Sequence, residues 1–263
     1  MTATHPAYGQ VRQVTGSAAV LLADNPGKMT LDGTNTWLLR APGASGYVVV
    51  DPGPKDNKHI EAIAAATDGD IALTLITHHH HDHTGGIERL VKLTGTPVAA
   101  VEPGYLNDWD APLADGQVLE AAGLSIRAVA TPGHTADSVS FVLDDAVLTG
   151  DTILGAGTTV LESRSGALAD YLNSLDRLLA EGAGRKLLPA HGTEHPDLEP
   201  VARYYVKHRH ERLDQVRAAL RELGENAGAM AVVHKVYADV DKRLWPAARS
   251  SVQAQLDYLR THG

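Results

Sequence analysis

The sequence predicts a layered α/β protein that ends in a small helical domain. Three observations carry that expectation. Over the first two-thirds of the chain, short apolar runs that suit strands alternate with segments of helical spacing, the pattern of α/β layers. Near Pro196 the texture changes to long amphipathic stretches with few strand-like runs between them. The 263 residues, 43% of them hydrophobic, suffice for one large domain with an appendage.

The elements follow in order. TNTWLLR (34–40) and GYVVVD (46–51) read as two strands joined by Pro42-Gly43-Ala44-Ser45-Gly46, a hairpin with a longer loop. IEAIAAAT (60–67) is helical by spacing, with Ile60, Ile63 and Ala64 on one face. IALTLIT (71–77) is a buried strand, and GGIERLVKLTG (85–95) is a short helix stopped by Gly95. Strands follow at PVAAV (97–101), LSIRAVAT (124–131), SVSFVLD (138–144) and AVLTGD (146–151). A helix over 168–180 sets Leu168, Leu172, Leu175 and Leu179 at helical spacing, and RKLLPAHG (185–192) holds one more strand. From 198 to 223 runs a long amphipathic helix with Val201, Tyr205, Leu213, Val216, Leu220 and Leu223 among its apolar positions and Gly224 as its stop. Two further helices are expected near 228–238 and 246–261, the last with Pro246 in its first turn. The domains are therefore read as 1–198 and 199–263.

Composition narrows the chemistry. Cysteine is absent, so disulfides and thiolate sites are excluded, and a transition-metal site must use imidazole and carboxylate. Fourteen histidines then stand out. The formal charge of −9 argues against a globally nucleic-acid-binding surface, yet it is unevenly spread. Residues 1–198 carry 12 Lys and Arg against 24 Asp and Glu, whereas 199–263 carry 11 against 8. The N-terminal stretch lacks a basic segment leading into a long apolar run, and no run approaches the ~20 residues of a spanning helix. A soluble, cytoplasmic protein that does not engage a membrane is expected.

Four consecutive histidines lie inside THHHHDHTGG (77–86), embedded in folded chain rather than at a terminus. The ligand-capable pattern is His78, His80, Asp82 and His83. Just past a strand end, residues two apart point to one side, so His78 and His80 can share a cation, with Asp82 and His83 serving a second one. His79 and His81 then point elsewhere. Three further candidates sit at strand ends beside Gly or Pro: His134 in TPGHT, Asp151 in TGDT and His191 in PAHG. Strand-end loops are where an α/β fold exposes its functional residues. Imidazole and carboxylate suit Zn²⁺, with Mn²⁺ or Fe²⁺ as alternatives. Asp51, in VVVDPG, fits either a role behind the ligands, holding an imidazole N–H, or a plain Asp-Pro-Gly turn.

With THHHHDHTGG, TPGHT, TGDT and PAHG in this order, the chain resembles the metallo-β-lactamase superfamily. The resemblance implies an αββα sandwich with a dinuclear metal site at one edge. One ion would take His78, His80 and His134, and the other Asp82, His83 and His191. Asp151 would bridge the two. Two neighbouring dications lower the pKa of a shared water and polarise a carbonyl or phosphoryl oxygen. Asp82 is the expected catalytic group, orienting the hydroxide and relaying its proton.

GTNTWLL, GDTILGAGTTVL, YLNSLDRLL and YYVKHRHERLDQV look like the β-lactamase-like endoribonuclease branch, which carries a C-terminal winged-helix domain. That implies single-stranded RNA as substrate. The positive balance of 199–263 agrees, with Arg203, Lys207, Arg209, Arg212 and Arg249 as phosphate-contacting candidates. Two features depart from the pattern: Ala190 replaces the glycine often found before the last ligand, and aromatics for base stacking are few. The alternatives are a hydrolase of small thioesters, lactones or lactams, like glyoxalase II or a β-lactamase, and a non-catalytic metal-binding module. GAGTTVL (155–161) is glycine-rich but lacks a P-loop lysine. Tyr204, Tyr205, His208 and His210 lie on the long helix, where packing or a solvated face accounts for them as well as a cleft does. His195 sits in a loop beside Pro196 and needs no function.

Overall fold

A computed structural model describes residues 8–262 of the chain. Two sheets face one another. The first has six strands in sequence order: β1 Val11–Gln13, β2 Ala18–Leu22, β3 Asn35–Leu39, β4 Tyr47–Val50, β5 Ile71–Leu75 and β6 Val98–Ala99. The second has five: β7 Val118–Ala121, β8 Leu124–Ala130, β9 Val139–Val142, β10 Ala146–Gly150 and β11 Lys186–Pro189, in the order β11-β10-β9-β8-β7. Helices are α1 Asn57–Ala66, α2 His81–Thr84, α3 Ile87–Thr94, α4 Ala167–Gly182, α5 Leu198–Leu223, α6 Ala229–Val236 and α7 Trp245–His262.

Period-2 alternation explains the layers. In β3, Trp37 and Leu39 point toward the second sheet while Leu38 points out toward α1 and α3. Val48 and Val50 of β4 likewise face inward and Val49 outward. In the second sheet Ala146 and Leu148 of β10 enter the inter-sheet core, and Val147 packs under α4 and α5. Strands buried on both faces read as continuous apolar runs, which is why YVVV and AVLTG carry so few polar residues. The result is helices, sheet, sheet, helices: the αββα arrangement.

Local signals set the helix ends. Asp56 caps α1 by accepting from the Lys58 amide, and Asp197 caps α5 through Glu199 in the same way. Gly95, left-handed at φ 69°, ends α3.

Topology gathers the functional loops. β4 and β5 are parallel, and β8 runs with β10 because each is antiparallel to β9; β11 is parallel to β10. The C-terminal ends of these strands therefore meet at one edge of the sandwich. There the sheets are joined by Val139 N donating to Thr77 O and Asn35 N to Ala190 O.

After β11 the described residues form three helices and a short 3-10 turn at Lys242–Leu244. α5 is shared: its first half, with Leu198, Ala202 and Tyr205, packs on the second sheet's helix layer, and Val216 and Ala219 pack against α6 and α7. No described helix is long and apolar enough to cross a membrane.

Candidate metal centre

The turn after β5 does the first positioning. Thr77 and His78 leave the strand buried, His80 occupies the N-cap of α2 with extended backbone, and that single helical turn carries Asp82 and His83. Extended geometry before the cap sends His78 and His80 to one side, and helical geometry after it turns Asp82 and His83 back beneath them. His79 and His81 are exposed, and His79 Nδ1 lies 2.7 Å from Asp137 Oδ1, away from the cluster.

From the second sheet come His134 after β8, Asp151 after β10 and His191 after β11. Their loops need glycine. Gly150 has φ 52°, and a Cβ there would stand 2.8 Å from the Thr77 Cβ. Gly133 has φ 140°, and a Cβ would come within 2.4 Å of the Tyr171 Cβ.

The side chains converge as two sets. His78 Nε2 and His134 Nε2 each lie 3.0 Å from His80 Nδ1. Asp82 Oδ2 is 3.2 Å from His191 Nε2 and 3.4 Å from His83 Nε2. Asp151 stands between them: Oδ1 is 3.4 Å from His191 Nε2 and 3.8 Å from His83 Nε2, while Oδ2 is 3.5 Å from His134 Nε2. Ligand atoms on a tetrahedral zinc at ~2.05 Å are about 3.3 Å apart, so these spacings match coordination edges.

Whether the residues fit divalent ions can be tested on orphaned atoms. His83 Nε2 and Asp151 Oδ1 are buried with no hydrogen-bond partner among the described residues. Buried polar atoms without partners are costly, and these two face the centre where an ion would satisfy both. The donor set is imidazole and carboxylate throughout, which suits zinc.

Four of the five rings are held from behind. His134 Nδ1 donates to Val160 O at 2.7 Å, and His191 Nδ1 to Gly33 O at 3.0 Å. Thr77 Oγ1 donates to Asp51 Oδ2 and accepts from His78 Nδ1 at 3.0 Å. His83 Nδ1 donates to Asp51 Oδ2 at 2.9 Å. These contacts leave Nε2 of four imidazoles as free acceptors aimed inward. Asp51 is buried, its Oδ1 takes the Thr77 amide at 2.8 Å, and its backbone is left-handed at φ 54°. That strain at a non-glycine residue is sustained by Leu75 O accepting its amide and Thr36 Oγ1 donating to its carbonyl. Behind Thr36 sits His59, whose Nε2 is 2.8 Å from Thr36 Oγ1.

Charge in the cluster follows burial and neighbours. Burial presses His78 well below the usual histidine range, and burial with His134 nearby brings His80 to about 4, so both are neutral. Burial works against a charged His191, but Asp151 outweighs it and raises the ring to about 9. Ligation requires the neutral ring, so an ion arriving at His191 displaces a proton.

The basic residues expected at a polyanion face part company. Arg203 pairs with Glu199 at 2.6 Å and Lys207 with Glu211 at 3.6 Å, both on the exposed side of α5. Arg249 is exposed on α7 and does not line the cleft. Arg209 and Arg212 do reach a cavity of about 280 Å³ that opens on His134 and Asp151. Tyr205 is buried and its hydroxyl accepts from the Leu154 amide, Tyr204 is exposed, and His195 Nε2 bonds Gly155 O. Sequence reading passed over Thr77, Thr36 and Asn35. Asn35 Nδ2 donates to Pro189 O at 2.9 Å and Gly192 O at 2.8 Å, bracing the loop that presents His191.

Comparisons with known proteins agree with this architecture. The metallo-beta-lactamase superfamily model matches residues 29–191, and the beta-lactamase associated winged helix domain matches 228–263. A "Beta-lactamase-like protein 2 homolog" of Drosophila melanogaster is 34% identical, over 96% of this chain and 91% of its own length. An "Atrochrysone carboxyl ACP thioesterase" of Aspergillus chevalieri is 36% identical, over 85% of this chain and 72% of its own. Among solved structures, a beta-lactamase domain protein from Burkholderia ambifaria shares the fold with TM-score 0.83 at 21% identity, covering 98% of this chain and 90% of that one. The sandwich, the helical C-terminal part and the sequence matches lead to one assignment: the chain belongs to the metallo-β-lactamase superfamily of hydrolases and carries that superfamily's associated winged-helix domain.

Proposed function

We propose that the protein hydrolyses activated acyl groups, thioesters foremost, using two divalent cations, zinc by the chemistry of the donors, held by His78, His80, His134, Asp151, Asp82, His83 and His191. The cavity carries this reading. It opens against His134 and Asp151 and is walled by Met29, Leu31, Leu154, Val240 and Leu244, an apolar surface that suits a compact acyl chain. The A. chevalieri relative, named as an ACP thioesterase, supports the same class.

Bound divalent cations supply hydroxide from water at neutral pH and polarise the acyl oxygen. The chain's own groups do the rest. Asp151, with one oxygen toward each ligand set, keeps the two sets at a constant spacing. Burial works against a charged Asp82 carboxyl, but the His191 and His83 rings beside it more than reverse this and keep it ionised at neutral pH. Its Oδ2 lies toward the inward Nε2 atoms of those two rings, on the side a cation would occupy, which leaves Oδ1 to take the attacking water's proton and return it to the leaving thiolate.

A second reading is cleavage of single-stranded RNA. The Lys and Arg excess of 199–263 and the arrival of Arg209 and Arg212 at the cavity favour it. It ranks second here, reversing the order expected from sequence, because Arg203 and Lys207 are paired within their own helix. The Tyr237 ring in the cavity wall is also already covered by Arg212 at 4.7 Å, so it does not offer an open face to a base.

Purified zinc-loaded protein assayed on S-lactoylglutathione, S-butyryl-N-acetylcysteamine, short single-stranded RNA and a chromogenic cephalosporin separates these readings. Turnover of a thioester, lost by at least about a hundredfold in Asp82→Ala, is expected. Cleavage of RNA with both thioesters untouched overturns the acyl reading, and unchanged turnover in Asp82→Ala overturns the role given to that residue.

A further inference from the structure

We propose that the cavity beside the metal centre binds an anionic group of the ligand, a carboxylate or a phosphate, with Arg209 and Arg212 as its recognition pair. The inference rests on reading this cavity as the substrate pocket and extends that reading from shape to charge; it does not require the reacting bond to be a thioester.

Arg209 is 2% exposed, and no carboxylate among the described residues lies within ion-pair distance of it. Its Nη2 donates to Thr159 O, its guanidinium lies 4.8 Å from the Tyr171 ring centroid, and its Nε has no acceptor. A buried charge with neither counter-ion nor full hydrogen bonding is disfavoured, and stacking on one ring offsets only part of that. Arg212 follows at i+3 on the same face of α5. It too lacks a carboxylate partner, bonding Gln215 instead and lying over Tyr237. His208, in the same cavity lining, has a buried Nδ1 with no partner among the described residues, and burial, together with the two arginines, holds that ring to about 4. It is thus neutral and able to donate.

Burial without a counter-ion is what points to a ligand: Arg40, Arg221 and Arg249 also lack an acidic partner among the described residues, but they are exposed to water, whereas Arg209 is buried. Arg12, Arg89, Arg127, Arg177 and Arg260 each sit beside an Asp or Glu in a protein of net charge −9. Around this cavity the described lining holds Lys28, Arg209 and Arg212 and a single acid, Asp151, which belongs to the metal centre. Lys28 is bonded to Asp241 at the rim, so the free positive charge is that of the two arginines. Apolar side chains and two unpaired guanidiniums in one pocket describe a ligand with an apolar body and an anionic end.

The test is isothermal titration of the zinc-loaded full chain with methyl phosphate, with glutarate and with neutral glutaramide, comparing wild type, Arg212→Gln, Arg212→Lys and Arg209→Lys. Anion binding to the ions themselves is common to all four proteins, so differences report on the arginines. About tenfold weaker binding of an anion in Arg212→Gln is expected, with partial recovery in Arg212→Lys and no change for glutaramide. Arg212 is half-buried with one neutral partner, so its variants fold even where Arg209→Lys does not. Loss confined to methyl phosphate assigns the site to phosphate, loss confined to glutarate assigns it to carboxylate, and loss for both supports a general anion site. Equal binding of both anions to wild type and Arg212→Gln overturns the inference, even if thioesters are turned over. Weakened binding without thioester turnover leaves it standing and removes the acyl reading instead.

Discussion

Asp51 touches no cation in this account, yet three donors end on its carboxylate: the Thr77 amide, the Thr77 hydroxyl and His83 Nδ1. One acid therefore orients two ligand-bearing positions, and its strained backbone is held by Thr36. His59 lies behind Thr36 and supplies a pH dependence. Burial lowers its pKa from 6.5 to about 4, so the folded state holds the neutral ring while the unfolded chain takes up a proton below 6.5. Its contribution to stability is full above pH 6.5 and declines as pH falls from 6.5 toward 4, by on the order of 3 kcal/mol. Urea unfolding at pH 7.5 and 4.5 should show a smaller loss in His59→Gln than in wild type. Equal losses would mean the ring does not titrate in this way. The candidate ligands outside the histidine tract, His134, Asp151 and His191, were legible in sequence because each ends an apolar run beside Gly or Pro, and those inside it by their alternation. Their supports were not, since Val160 and Gly33 act through carbonyls, which every residue possesses.

At the scale of elements, the C-terminal helices grip the strap that orients His134. Val160 O accepts from His134 Nδ1; on either side Thr159 O accepts from Arg209 of α5, and Leu161 O from Ser250 of α7 at 2.7 Å. Ser250→Ala should therefore weaken zinc binding roughly threefold to tenfold, less than loss of a direct partner of a ligand. Chelator competition measures this; unchanged affinity would reduce the strap to packing. Most elements were legible from periodicity, including the hairpin of β3 and β4 and the span of α5. β1, β2 and β7 were not. AAVLL is buried at every position and shows no alternation, VRQ is three residues long, and VLEA pairs only with β8 at the sheet edge. α2 is a single turn inside the histidine tract, too short for any period to register. Helical spacing also predicts that Glu199 and Glu211 would neutralise Arg203 and Lys207, a signal present at i,i+4 and passed over.

At the scale of the whole molecule, two sheets that each bury both faces bring strand ends separated by more than a hundred residues to one edge. The C-terminal helices then close a cavity over that edge with Tyr237, Val240, Leu244 and Ala248. Neither part forms the pocket alone, so the metal centre and the charge that faces it come from different ends of the chain. The proposed function depends on one arrangement, two cations held by seven side chains with Asp151 between them. An anomalous-scattering map recorded at the zinc edge from crystals of zinc-loaded protein tests it most directly. Two peaks are predicted, one within bonding distance of His78, His80 and His134, the other of Asp82, His83 and His191, with an oxygen of Asp151 on each. A single peak, or two that leave Asp151 unligated, would contradict the account.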